Sequence, residues 1–156
     1  MPEISIGELK RKLECPERAI AEAEALYEER VDEVARRVAE SGSVRVILLS
    51  GPSGSGKTTT ANLISDRIKS LGERSMVISM DDFYMNLDDE RYPRLKDGKN
   101  DFESPDALDY GCLIRTLGDI IAGREFTVPK YDFKRGGRSG FAEYPSFARG
   151  CVTYCT

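Results

Sequence analysis

Residues 51–58 read Gly51-Pro52-Ser53-Gly54-Ser55-Gly56-Lys57-Thr58, and no other stretch restricts the fold as strongly. The octet matches G-x-x-x-x-G-K-[ST], a glycine-rich loop whose backbone N–H groups cradle phosphate. Its flanks suit that use. Residues 44–50 are mostly apolar and β-branched and predict a buried strand. Residues 58–71 predict a helix, with Ala61, Ile64, Ile68 and Leu71 on its inner face and Gly72 at its C-terminal stop. Glycines let the backbone curl into a nest of N–H groups, and the helix N-terminus adds partial positive charge. Gly51, Ser53, Gly54, Ser55, Gly56, Lys57, Thr58 and the adjoining Thr59 are therefore the candidate nucleotide-binding residues. Lys57 is expected to reach the β- and γ-phosphates, and the Thr58 hydroxyl to ligate Mg²⁺.

Residues 74–80 predict a second strand centred on Val77 and Ile78. A strand-loop-helix-strand order implies a parallel pair with a right-handed crossover. Ligands bind beyond the carboxyl ends of such strands, so Asp81-Asp82-Phe83-Tyr84 are expected near the glycine-rich loop. A carboxylate there can ligate Mg²⁺ or accept a proton from a substrate hydroxyl. The same residues could form an acidic turn. Beside a phosphate-binding octet, the functional reading is preferred.

Residues 85–103 have no clear periodicity, which points to a lid, a binding loop or disorder. Ser104-Pro105-Asp106 has the N-cap, N1 and first-turn residues of a helix, predicted over 104–122 and stopped by Gly123. Residues 126–133 predict extended chain, with Gly136-Gly137 as a turn. Tyr131 and Phe133 alternate and so share one face; they either pack on the core or sandwich a flat ring. Upstream, Ser5 and Glu8 have capping-box spacing for a short helix. In residues 17–40, Ile20, Ala23, Tyr27, Val31, Val34 and Val38 form one apolar stripe. That stripe suits packing on the chain's own sheet, with a partner protein as the other use.

Composition narrows the class. A net charge of −4 gives no basic field for nucleic acid. No apolar run approaches a membrane span, and no signal-peptide core opens the chain. A cytoplasmic setting with reduced Cys15, Cys112, Cys151 and Cys155 is expected. With no histidine, neither a zinc site at Cys151 and Cys155 nor a His-based triad is expected.

Four motifs then fall in one order: the octet, Ser79-Met80-Asp81-Asp82-Phe83-Tyr84, Asp101-Phe102-Glu103-Ser104-Pro105-Asp106-Ala107-Leu108-Asp109, and Val128-Pro129-Lys130-Tyr131-Asp132-Phe133. Over about residues 44–144 the chain resembles the uridine kinase and phosphoribulokinase family. The resemblance implies an α/β fold: a P-loop NTPase-type parallel sheet with flanking helices, here incomplete on its C-terminal side. It implies ATP and Mg²⁺ as cofactors and phosphorylation of a nucleoside 5′-hydroxyl. Asp81 would take the hydroxyl proton near Mg²⁺, with Lys57 as the other catalytic residue. Tyr84 and Phe102 would line the substrate pocket, and Glu103, where the family more often has Asp, would hold the ribose hydroxyls. Tyr131 and Phe133 would lie against the base, which replaces the core reading of these rings. Arg138 resembles an arginine that follows this hairpin. Gly136 stands where the family has a base-reading histidine, so a pyrimidine preference is not implied.

The resemblance divides the chain into a helical segment (1–42), the N-terminal portion of a kinase domain (43–145) and a tail (146–156). The match stops abruptly after Tyr144-Pro145. The family continues into another parallel strand, an arginine-bearing lid and an adenine-contacting segment. The tail is therefore expected not to be native to the fold, as in a truncated or frame-shifted product. Much of the sheet and a second Mg²⁺ carboxylate are expected to be missing. Homo-oligomerisation is left open. Two other readings stand beside the nucleoside kinase: a nucleotide-binding fragment without turnover, and a related kinase acting on a sugar phosphate or a vitamin precursor.

Overall fold

The computed structural model describes residues 5–52, 54–146 and 151–155. Two helices open the chain, α1 (Ile6–Leu13) and α2 (Pro16–Ser41). They lead through β1 (Val46–Leu49), α3 (Lys57–Ser70) and β2 (Ser75–Ser79) to a short 3₁₀ turn, Met80–Phe83. After a second 3₁₀ turn, Pro105–Ala107, come α4 (Tyr110–Ile121), β3 (Phe126–Asp132), β4 (Gly137–Tyr144) and β5 (Cys151–Cys155).

The sheet is parallel, in the order β1-β5-β2. This corrects two expectations. First, β1 and β2 run parallel but are not neighbours, because the crossover through α3 skips one strand position. Second, residues 151–155, expected to lie outside the fold, supply the backbone that fills that position. Their residue types, Cys-Val-Thr-Tyr-Cys, include the β-branched and aromatic residues that favour strands. Leu49 and Ser79 both stand in register with Cys155. The carboxyl ends of β1 and β2 therefore sit side by side, about 10 Å apart across two strand spacings.

Side chains alternate between the two faces of β1. Ile47 joins Val31, Ala35, Ile64 and Ile68 in a cluster that buries α2 against α3. Val46 faces the other way, onto Ile78, Phe83, Cys112, Leu113, Ile120, Phe126 and Val128. Burying one such side chain contributes about 1.5–3 kcal/mol, and these two clusters hold helices on both faces of the sheet. The first half of α2 departs from the predicted stripe: Ile20 is 57% and Tyr27 39% exposed, because the apolar packing on α3 begins at Val31 and Tyr27 meets α3 through its hydroxyl, 2.8 Å from Thr60 Oγ1. Leu48 is also exposed, since β1 is an outer strand among the described residues.

Three further differences bear on the site. The helix predicted over 104–122 begins at Tyr110, because Leu108 is extended (ψ 139°) and Asp109 is the N-cap; Ser104 caps only the short 3₁₀ turn. Residues 85–103 form an ordered loop with a small core of its own. Met85 and Tyr92 are buried with Ala107, and Leu95 donates to the Lys99 carbonyl at 2.7 Å. Lastly, β3 ends at Asp132, so Phe133 lies in the hairpin turn rather than in the strand.

Candidate active site

The glycine-rich loop leaves β1 and closes on α3 as the octet requires. Gly54 (φ 73°) and Gly56 (φ 81°) adopt the left-handed backbone that glycine accepts without strain. Gly56 is the N-cap of α3, and no side chain caps that helix end. The Ser55 N–H donates to the Pro52 carbonyl, and a Cβ on Gly51 would lie 2.9 Å from Ser55 Oγ. The Lys57 ammonium donates to the Gly51 (2.7 Å) and Pro52 (2.9 Å) carbonyls, which holds its charge against the loop. Thr58 and Thr59 lie in the exposed first turn of α3. A tight backbone, an uncapped helix N-terminus and a tethered ammonium fit a phosphate chain. Ser53 lies outside the described residues.

Asp81 begins two residues beyond the end of β2, at the same end of the sheet as the loop. Its backbone N–H donates to Ser79 Oγ, fixing the turn. Its carboxylate is exposed and makes no hydrogen bond or ion pair among the described residues. Asp82 behaves differently. Its side chain is 19% exposed and binds the Lys130 ammonium at 2.9 Å and the Tyr131 N–H at 3.2 Å. That contact falls where the β3–β4 register shifts between Lys130 and Tyr131. Of the two adjacent acids, one fastens the hairpin and the other stays exposed beyond the end of β2.

Tyr84 follows the same turn and meets the hairpin aromatics. Its ring centroid lies 5.7 Å from Tyr131 and 6.1 Å from Phe133, which are 4.9 Å from each other. Three mutually tilted rings in contact form an apolar wall that a flat heterocycle can lie against. Burial, then the nearby charges of Asp81 and Glu103, push the Tyr84 phenol up from its ordinary range. Both carboxylates are thus within electrostatic reach of this hydroxyl. Tyr84 donates to the Phe102 carbonyl at 3.2 Å. The Phe102 ring instead packs on Tyr92, 6.0 Å between centroids. Glu103 is exposed, its main chain set by the Asp101 carboxylate. Tyr131, Tyr84 and Asp101 add to burial in pushing the Tyr92 phenol up to about 12.

Arg138 pairs directly across the hairpin from Tyr131, so the two side chains leave the same face. Its N–H donates to Asn86 Oδ1 at 2.8 Å. Its guanidinium meets the Asp109 carboxylate at 3.0 Å. Gly136 has φ 69°, and a Cβ there would lie 2.7 Å from Leu87 Cδ1. Leu87 thus covers the position, and no larger side chain reads a substrate from it. Of the predicted acceptor-side residues, Tyr84, Tyr131 and Phe133 form this wall, Arg138 stands at its edge, and Phe102 turns its ring to Tyr92. Sequence reasoning did not single out Asp82, Asn86, Tyr92 or Asp109 as site residues. Asp82 and Asp109 carried a signal, as acids within motifs already in view.

Among the described residues no helix is long and apolar enough to cross a membrane. Nor does any group of three or more His, Cys, Asp or Glu gather as a metal site. The profile of the phosphoribulokinase / uridine kinase family matches residues 46–148. A uridine kinase of Schizosaccharomyces pombe is 41% identical over 96 residues, 61% of this chain and 20% of that protein. The chain therefore spans about a fifth of the length of that relative. In structure, the chain is similar to a candidate uridine kinase from Bacillus stearothermophilus, with a TM-score of 0.59 and 23% identity over 81% of this chain and 69% of that one. It is likewise similar to a candidate fructose transport system kinase from a Silicibacter species, at 0.62 and 20% over 80% and 62%. At these identities the structural likeness speaks to the P-loop kinase fold.

Proposed function

Because the chain belongs to the phosphoribulokinase / uridine kinase family, we propose that it carries the catalytic core of a cytoplasmic, ATP-dependent kinase that phosphorylates the 5′-hydroxyl of a nucleoside. The observation that carries the reading is the ring wall of Tyr84, Tyr131 and Phe133 beside the unengaged carboxylate of Asp81. A base lying on that wall brings the sugar end of a nucleoside toward Asp81, at the sheet end that also bears Lys57. Asp81 then accepts the hydroxyl proton as the oxygen forms its bond to the γ-phosphorus and the bond to the β,γ-bridging oxygen breaks, with ADP leaving. Lys57 follows the charge on the transferring group, and Glu103 is within reach of sugar hydroxyls. Thr58 and Asp81 would hold Mg²⁺, which supplies charge neutralisation on the phosphates. The S. pombe relative's name supports a nucleoside as acceptor.

Transfer from radiolabelled ATP to a panel of pyrimidine and purine nucleosides, with sugar phosphates alongside, tests this. Label on a nucleoside 5′-oxygen is the expected result. Transfer only to sugar phosphates overturns the nucleoside assignment. The rival reading is a nucleotide-binding unit without turnover. Mg-ATP binding by calorimetry with no transfer to any acceptor identifies it.

A further inference from the structure

Arg138 sits beside the ring wall, yet a long arginine at a hairpin edge is ordinarily free to sample many rotamers. Here it is tied at both ends. Its backbone N–H is held by Asn86 Oδ1. A Cβ at neighbouring Gly137 would lie only 3.0 Å from that oxygen, so the approach of Asn86 depends on the glycine. Its guanidinium meets Asp109 Oδ2 through Nη2 at 3.0 Å, with both side chains mostly buried, 20% and 25% exposed. Its Nε and Nη2 are buried with no further hydrogen bond, and its central carbon lies 6.0 Å from the Phe141 ring centroid, so Nη1 is the edge that no carboxylate engages among the described residues. Asp109 is itself fixed three ways. Its N–H donates to the Phe83 carbonyl at 2.8 Å, in the turn that carries Asp81. Its other oxygen, Oδ1, accepts from the Cys112 N–H at 2.9 Å and caps α4. The residue before it bridges to Tyr84. One aspartate thus connects the Asp81 turn, α4 and the hairpin strand opposite Tyr131.

We propose that Asp109 is a positioning residue. Its carboxylate locks one edge of the Arg138 guanidinium and presents the free Nη1 edge to the acceptor lying on the ring wall. The free edge suits an oxygen acceptor on that substrate, a base carbonyl or a sugar hydroxyl, and contributes orientation more than chemistry. The proposal rests on the nucleoside-kinase reading for the identity of the acceptor. The lock itself follows from the side-chain geometry alone.

Asp109→Asn separates the two jobs of the carboxylate. Asparagine is as good an N-cap as aspartate, so α4 keeps its cap while the charged partner of Arg138 is lost. Nucleoside affinity is measured by calorimetry, in the presence of Mg-ATP, for the full chain and for Asp109→Asn, Arg138→Gln and the double variant. Arg138→Gln is expected to weaken nucleoside binding about tenfold, as for a lost charge-assisted hydrogen bond. Asp109→Asn should weaken it several-fold, with Mg-ATP affinity unchanged in both. The double variant should match Arg138→Gln, because a positioning residue has nothing left to position. Additive losses, or wild-type affinity in Asp109→Asn, overturn the proposal. If Arg138→Gln binds nucleoside as wild type does, the role given to Arg138 fails and the nucleoside reading survives. If wild type binds no nucleoside, that reading fails, and the lock is still tested by nuclear magnetic resonance. A sharp Arg138 Nε–Hε signal in the ligand-free protein, broadened in Asp109→Asn, supports the lock; an unchanged signal overturns it.

Discussion

The two sides of this site are built by opposite means. The phosphate side is one contiguous octet, held by short-range contacts such as those from the Lys57 ammonium to the Gly51 and Pro52 carbonyls, six and five positions away. The acceptor side is assembled from separate stretches. Asp82 reaches 48 residues to Lys130, and Arg138 reaches 52 residues to Asn86. A local loop forms wherever its glycines and helix are present. A wall made of a turn, a loop and a hairpin exists only when the tertiary contacts between them are made. Damage to the first should therefore change chemistry and nucleotide binding with little loss of fold, while damage to the second should trade stability against acceptor recognition.

The largest effect expected from that contrast is at Asp81. Asp81→Asn keeps the size of the side chain and leaves the turn, which is fixed by the Asp81 N–H and Ser79 Oγ. Loss of a positioned general base costs about 10²- to 10⁴-fold in rate. The turnover number should fall by at least that factor, Mg-ATP binding should weaken only as far as the loss of one Mg²⁺ ligand requires, and the unfolding midpoint should stay near wild type. Lys57→Met should lower both turnover and Mg-ATP affinity. A variant pair in which Asp81→Asn also abolishes nucleotide binding would merge the two sides that the geometry separates.

A smaller and purely structural effect is expected at Gly136. Its φ of 69° puts it in the left-handed region, where a side chain costs about 1–2 kcal/mol. The Leu87 methyl, 2.7 Å from an added Cβ, must also move, although the tip of a leucine can yield. Gly136→Ala should lower the urea unfolding free energy by roughly that backbone cost, and Gly136→Asn by less, since asparagine tolerates left-handed φ. Equal stability of alanine and glycine here would show that the hairpin turns another way.

The same contrast explains what could be read from the sequence. The octet, the β1 and β2 strands and the acid after β2 were legible because periodicity and motif spacing are local signals. The order of the strands was not. The pairing of residues 151–155 with β1 joins residues about a hundred positions apart, and a five-residue stretch with three β-favouring residues carries no local sign of which strands it joins. The start of α4 was misjudged because Ser104-Pro105-Asp106 has a valid capping chemistry, which the fold uses for one 3₁₀ turn before the chain extends at Leu108. The division of labour between Asp81 and Asp82 was likewise hidden. Neighbouring identical side chains differ only in what the hairpin brings to one of them.

The smallest effect tests the acceptor side by acid. Although burial alone would raise the Asp109 carboxyl, the Cys112 N–H, the Arg138 guanidinium and the charge of Arg115 together hold it below its ordinary value. A carboxyl whose folded-state pKa is depressed binds protons more readily in the unfolded chain. It stabilises the fold above its unfolded pKa, near pH 4, and that contribution fades as pH falls through the folded value. Wild type minus Asp109→Asn, followed by urea unfolding from pH 7 downward, should therefore give a stability difference that is flat above about pH 4 and shrinks below it. The change should be smaller than at Gly136, because water screens a pair that is one-fifth to one-quarter exposed. The matching difference for Arg138→Gln should shrink over the same window, since protonating Asp109 removes the charge that Arg138 faces. A pH-independent difference would mean that Asp109 supports the fold only as the cap of α4, and that the hairpin is fastened by Asp82 and Asn86 alone.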